Sequence, residues 1–239
     1  MRALGFIDIF LPFMDALWHG GPYHSTNHVR DMLHTFVNHY DEITEVYPEF
    51  LKEDTVKELV LAVLWHDAEY AAWRNENELH AATCFVETME RMPESQRYFL
   101  ADEKMQERVV DDILSTRYSV TRYDTNVQKI LHDLDWYCFS SQDLLFKAET
   151  LILEELQTHG ALNEEEALKA RLGFYRNLIE SKRQIFVSRW MEGSNKDAEV
   201  LIKDRIAAIE GLLAAGKSIL SEVIVPDGIC EVVVPDENE

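Results

Sequence analysis

Residues 59–67 read Leu59-Val60-Leu61-Ala62-Val63-Leu64-Trp65-His66-Asp67. The uninterrupted apolar run predicts a core helix of about 54–68, and it ends on an imidazole and a carboxylate. An ionised Asp taken out of water there costs several kcal/mol unless a cation or hydrogen-bond donors compensate. Two readings are open at this point. Either the helix ends and Asp67 escapes to solvent, or a metal ion beside the pair neutralises it.

Outward from this helix, nearly the whole chain carries helical periodicity. Residues 5–18 predict a first helix, with Pro12 near its start or kinking it. Gly20-Gly21-Pro22 is a break, and a second helix follows through about Tyr40, with Met32, Leu33, Phe36 and Val37 at helical spacing. On the other side, helices are expected over 77–91, over 96–116 as one or two pieces, and from Thr125 through about Asp133. Ser141 caps a helix through about 158 that His159-Gly160 closes. Asn163 before Glu164-Glu165-Glu166 starts a helix expected to reach Met191, and Gly193-Ser194-Asn195 separates it from a last one over 196–214. The expectation is an all-α helical bundle over 1–216.

Residues 217–239 change character. Ile219 to Val225 and Ile229 to Val234 flank Pro226-Asp227-Gly228, the signature of a β-hairpin, with a flexible tail as the alternative. An isolated hairpin is marginal in water. It would dock on the helical body or pair with another copy, making a homo-oligomer.

Composition bounds the function classes. The chain has 239 residues, 46% hydrophobic and 28% charged, with a formal net charge of −21. That balance describes a globular protein with ample length for a core. It disfavours nucleic-acid backbones and anionic membranes as partners, while a small phosphorylated substrate answers to the local field of a pocket. Cys84, Cys138 and Cys230 form no CxxC pair, which argues against disulfides and cysteine zinc sites. The opening MRALGFIDIFLPFMDALW is interrupted by Asp8, Pro12 and Asp15 and does not read as a secretory signal. No run approaches a membrane span, so the expected setting is cytoplasmic.

Three further segments carry chemistry. In Tyr23-His24-Ser25-Thr26-Asn27-His28, two histidines four apart lie on one helix face. In Leu131-His132-Asp133-Leu134-Asp135-Trp136, two carboxylates alternate in an apolar surround. The order His28, His66-Asp67, Asp135 places each part on a different helix, the way bundles assemble metal sites. Such a mixed N/O set suits Mn²⁺, Fe²⁺, Co²⁺, Ni²⁺ or Zn²⁺ and leaves positions open for water and substrate; Mg²⁺ belongs among the candidates too. His34 and His39 lie off this face and read as surface residues.

These segments resemble the HD superfamily of metal-dependent phosphohydrolases, and within it a bacterial branch with YHxxxH, HDxxY, NE and DxDL-type motifs. Here these read Tyr23–His28, His66-Asp67-Ala68-Glu69-Tyr70, Asn77-Glu78 and Asp133-Leu134-Asp135-Trp136, over roughly residues 3–214. The resemblance implies His28, His66, Asp67 and Asp135 as metal ligands and His24 as general acid, a role an imidazole fills near neutral pH. It places the terminal ligand at the second Asp, which leaves Asp133 as a support or water-orienting base. It implies hydrolysis of a phosphate ester by metal-activated water, with Asp67 or Asp135 orienting the nucleophile. The substrate would be a nucleotide: a monophosphate, a cyclic nucleotide, a deoxynucleoside triphosphate or a guanosine alarmone.

The chain departs from relatives in Ser25, in Trp136 and in the stretch Ile113–Ser119, and it has no histidine between His80 and His132. One tightly held ion is therefore expected. A second would depend on His80, Glu69, Glu78, Asp111 or Asp112. Arg74, Arg117 and Arg122, in loops expected to open near the metal, are the candidate phosphate-binding cations, with Arg30 a weaker one. Glu78 is a candidate for a ribose hydroxyl or a water, and Trp73, Tyr118 and Trp136 for base stacking. Lys and Glu of the helix at 164–190 read as a solvated face. Two alternatives stand beside hydrolysis: a degenerate HD domain that binds nucleotide and metal as a regulatory module, and a diiron HD oxygenase.

Overall fold

A computed structural model describes residues 21–68, 70–71 and 76–216. The helix expected over 5–18 and the hairpin expected over 219–234 lie outside them. The described residues form an all-α bundle without strands. Its helices are α1 (Thr26–Asn38), α2 (Tyr40–Val46), α3 (Glu53–Trp65), α4 (Asn77–Arg91), α5 (Glu94–Leu100), α6 (Glu103–Ser115), α7 (Asn126–Asp135), α8 (Gln142–Thr158), α9 (Glu164–Glu180) and α10 (Asn195–Ala215). Short 3₁₀ turns at Pro48–Leu51, Tyr137–Ser140 and Glu192–Ser194 join them.

The run that opens the sequence reading is the centre of the packing. Leu59 through Leu64 are all buried, and α3 lies against α1, α4, α6 and α7. Burying each such side chain contributes roughly 1.5–3 kcal/mol, so α3 needs no polar face. A second apolar cluster forms where α8, α9, α10 and the Tyr137–Ser140 turn meet, around Leu153, Leu172, Tyr175, Phe186 and Ile202. Trp190 packs against both.

Helix starts follow side-chain chemistry. Asp102, Thr125 and Ser141 each accept a hydrogen bond from a first-turn amide of α6, α7 and α8. Asn163 and Glu166 form a reciprocal capping box at the start of α9, each cap contributing about 1 kcal/mol. Asp102 also splits the 96–116 stretch into α5 and α6.

Two expectations are corrected. The second helix does not run unbroken to Tyr40: α1 ends at Asn38, and α2 begins after His39. Nor does the helix from Asn163 reach Met191. It stops at Glu180, Lys182 turns the chain through a left-handed φ of 52°, and four successive amides beyond find side-chain acceptors instead of helical carbonyls. Ile185 and Phe186 donate to Asn195 Oδ1, both at 2.9 Å. Val187 and Ser188 donate to the two carboxylate oxygens of Asp133 at 2.8 and 3.0 Å.

Candidate metal centre

Helix α3 ends at Trp65, and the chain turns through His66, Asp67 and Ala68. His66 Nδ1–H donates to the Val63 carbonyl at 2.9 Å, which leaves the Nε2 lone pair to face away from the helix. His28 comes from the first turn of α1 and Asp135 from the last residue of α7. One ligand atom from each of His28, His66, Asp67 and Asp135 lies within 4.8 Å of all the others. His28 Nε2 is 3.0 Å from Asp135 Oδ1, and His66 Nε2 is 2.9 Å from Asp67 Oδ2. The escape of Asp67 to solvent is excluded, for its side chain is only 12% exposed.

The donor set fits a divalent cation. Two imidazoles offer Nε2 and two carboxylates offer oxygen, a combination suited to a first-row ion. The buried His66 Nε2 makes no hydrogen bond despite its closeness to Asp67, as a nitrogen aimed at an ion would. Electrostatics agree. Burial depresses the His66 imidazole, but Asp67 and Asp135 more than reverse this and bring it to about 9. Burial raises the Asp67 and Asp135 carboxyls, and the facing histidines pull both below the usual range. The cluster demands positive charge, which a proton on His66 or a cation supplies.

Beside it stands a second constellation. Glu155 of α8 is buried and binds the Gly21–His24 segment through both oxygens. Oε2 accepts from the backbone amides of Tyr23 and His24 at 3.2 and 3.1 Å, and Oε1 accepts from His24 Nδ1–H at 2.7 Å. The carboxylate occupies the space where a Cβ on Gly21 would stand, so only glycine permits this approach. The His24 ring stacks on Tyr70 with centroids 3.5 Å apart. Burial alone would lower the His24 pKa, but Asp67 and Glu155 outweigh it and the net shift is upward. On the other side, a cavity of about 550 Å³ between α1 and α8 has His28 and Asp135 in its wall, with Tyr23, Cys138 and Lys147.

The remaining expectations divide. Asp133 does not reach the cluster as a water-orienting base: it is fully buried, and both of its oxygens hold the Val187 and Ser188 amides. Burial pushes it up to about 7, those donors acting against the rise. His132 belongs to the same clasp. Its Nε2–H donates to the Ile185 carbonyl at 3.0 Å, Nδ1 accepts from the Tyr123 hydroxyl at 2.8 Å, and burial lowers it to about 4. Arg122 is 90% exposed and pairs with Asp124 at 3.4 Å; this solvated pair does not face the cluster. Arg117 is half-buried after α6, and none of the described contacts ties its side chain to the site. Glu78 is half-buried in the first turn of α4 and acts on Tyr70 electrostatically. Arg74, Trp73 and Glu69 lie outside the described residues. Asp111 and His80 are exposed, and Asp112 is buried elsewhere, beside Glu58.

One residue missed in the sequence is Glu155, and it carried a signal. Leu145, Ala148, Ile152 and Glu155 follow helical spacing. A charge set on an apolar stripe is the anomaly that marks it.

No family model matches this chain, and neither a curated protein nor a solved structure matches it. Among the described residues no helix is long and apolar enough to cross a membrane.

Proposed function

We propose that this chain is a metal-dependent phosphohydrolase of the HD type, acting on a phosphate ester in a small molecule, with a nucleotide as the favoured substrate class. The observation that carries the reading is the convergence of His28, His66, Asp67 and Asp135 on one point, with a carboxylate-held His24 beside it. The resemblance of the motif order supports the same reading independently of distances.

In this reading, His28 and His66 lend Nε2, and Asp67 and Asp135 lend carboxylate oxygens, to one divalent ion drawn from Mn, Fe, Co, Ni, Zn and Mg. A bound ion supplies Lewis acidity and an activated water. Asp67 orients the attacking water. Glu155 accepts the Nδ1–H of His24 and, with Asp67, favours the doubly protonated ring, so that Nε2–H is the proton given to the leaving oxygen, while Tyr70 fixes the ring plane by stacking. A net charge of −21 repels polyanions, which favours a small substrate reached through the field of the pocket. Cys84 and Cys138 form no disulfide with each other, which suits a reducing, cytoplasmic setting.

The test is metal analysis of the purified protein, then a phosphate-release screen over mononucleotides, cyclic nucleotides, deoxynucleoside triphosphates and guanosine alarmones with Mn²⁺, Mg²⁺, Co²⁺ and Ni²⁺. Turnover that Asp67→Ala abolishes is the expected result. Protein that binds no metal and turns over no member of the panel would sink the proposal.

A further inference from the structure

Arg117 and Arg122 have no described contact with the centre, whereas Arg171 acts electrostatically on Tyr23, Tyr70 and Cys138 around it. Arg171 projects from the apolar face of α9. Its guanidinium carbon lies 4.8 Å from the centroid of Phe174 and 4.7 Å from that of Tyr175. One nitrogen, Nη2, donates to the Tyr175 hydroxyl at 2.9 Å, while Nε is buried and bonds nothing. Among the described residues no carboxylate pairs with it. Glu149 acts on it electrostatically but is bonded to Arg205.

Several other described arginines are committed elsewhere. Arg183 serves the carbonyls of Tyr118 and Val120 and the Tyr123 hydroxyl. Arg108 binds Glu58, and Arg176 binds Glu210. Arg171 keeps most of its five donors. Arg171 is half-buried; a cation partly removed from water without an anion is costly, and the fork of a guanidinium matches two phosphate oxygens.

Its position relates it to the cluster. Phe174, on which it lies, meets Trp136 with centroids 6.3 Å apart, and Trp136 follows Asp135 in the chain. Tyr23 and Cys138 line the cavity that reaches His28 and Asp135, and each is acted on by both Asp135 and Arg171. Tyr70, stacked on His24, is acted on by Asp67 and Arg171 together. The guanidinium and the metal-ligand carboxylates therefore act on the same intervening side chains.

We propose that Arg171 is the phosphate anchor of this centre, its guanidinium gripping the non-bridging oxygens of a phosphoryl group presented to the His28–His66–Asp67–Asp135 cluster. The identity of the anion rests on the phosphohydrolase reading; the anion-binding role of Arg171 is tested separately from it. The full-length protein is titrated with inorganic phosphate by calorimetry, with and without saturating Mn²⁺, and Mn²⁺ is titrated alone. Arg171→Met keeps the stem against Phe174 and Tyr175 while removing the fork, and Arg171→Lys keeps a point charge.

Phosphate affinity is expected to fall at least about tenfold in Arg171→Met and about threefold in Arg171→Lys. Mn²⁺ affinity and melting temperature should hold in both variants. A purely structural arginine would move the melting temperature instead. Unchanged phosphate affinity in Arg171→Met overturns the proposal, and so does wild-type protein that binds no phosphate under either condition. Failure of wild type to bind Mn²⁺ overturns the metal reading alone, because the metal-free phosphate titration still decides Arg171.

Discussion

Asp112 on α6 is buried to 1% exposure, beside Glu58. Glu58 is bonded to Arg108 at 2.6 Å, while Asp112 has only the Gln128 side chain, and its Oδ2 bonds nothing. Burial first, then Glu58, pushes its carboxyl from 3.8 to about 8. The folded protein thus holds a proton there that the unfolded chain releases above about pH 4. With more protons bound in the folded state, stability falls as pH rises between those two values. From pH 5 to pH 9 the loss covers about three pH units below the folded value, or about 4 kcal/mol at 1.36 kcal/mol per unit. Set against a typical total of roughly 5–15 kcal/mol, that is a large share.

Asp112→Asn preserves the shape and removes the ionisation. At pH 5 the variant is expected to match wild type within about 1 kcal/mol, and at pH 9 to exceed it by about 4 kcal/mol. Urea denaturation followed by circular dichroism at both pH values, with equal m values, reads this directly. Contributions from Asp133, also raised, and His132, lowered, act in both proteins and cancel in the difference. Parallel stability curves for the two proteins across this pH range would refute the reasoning.

Three more expectations follow from the site and its supports. Glu155→Gln removes the negative charge and one of the two acceptor oxygens that together hold the His24 ring and the Tyr23 and His24 amides, so turnover on a responsive substrate should fall about 10²-fold or more with Mn²⁺ affinity unchanged; equal loss of Mn²⁺ binding would show that Glu155 shapes the cluster instead. Because the carboxylates raise His66 to about 9, protons compete with metal there: Mn²⁺ affinity should weaken steadily as pH falls from 9 to 6, and calorimetry in buffers of different ionisation enthalpy should detect proton release. A pH-independent affinity without proton release would exclude His66 as a ligand. Asp133→Ala strands the amides of Val187 and Ser188 and should cost roughly 2–4 kcal/mol in denaturation, while leaving Mn²⁺ binding in place; loss of Mn²⁺ binding without loss of stability would return Asp133 to the centre.

Much of the fold was legible because it depends on neighbours in sequence. Apolar spacing and capping residues act within a turn or two, so α4 matches the expected 77–91, and α7, α8 and α10 fall within a few residues of where Thr125, Ser141 and the Gly193 break place them. The exceptions have long-range causes. Nothing near Arg183 in the chain signals that Asp133 and Asn195 will hold the four amides of 185–188 and keep that stretch from being helical. The candidate ligands were legible for a related reason: a carboxylate beside an apolar run is a local anomaly, and His66-Asp67 was one.

What the sequence alone determined is therefore the all-α pattern, the acidic charge and the residue types from which a mixed N/O centre can be built. Only the tertiary structure decided what Asp133 does while Asp135 stands beside His28 and His66. Residues two apart on a helix point in different directions, and the packing of α7 turns Asp135 to His28 and Asp133 to the 187–188 backbone. The structure also brought Glu155 to His24, 131 positions away, and laid the half-buried Arg171 against Phe174 and Tyr175. Charge on an apolar stripe marks a residue as anomalous, but its partner is named only when the helices have packed.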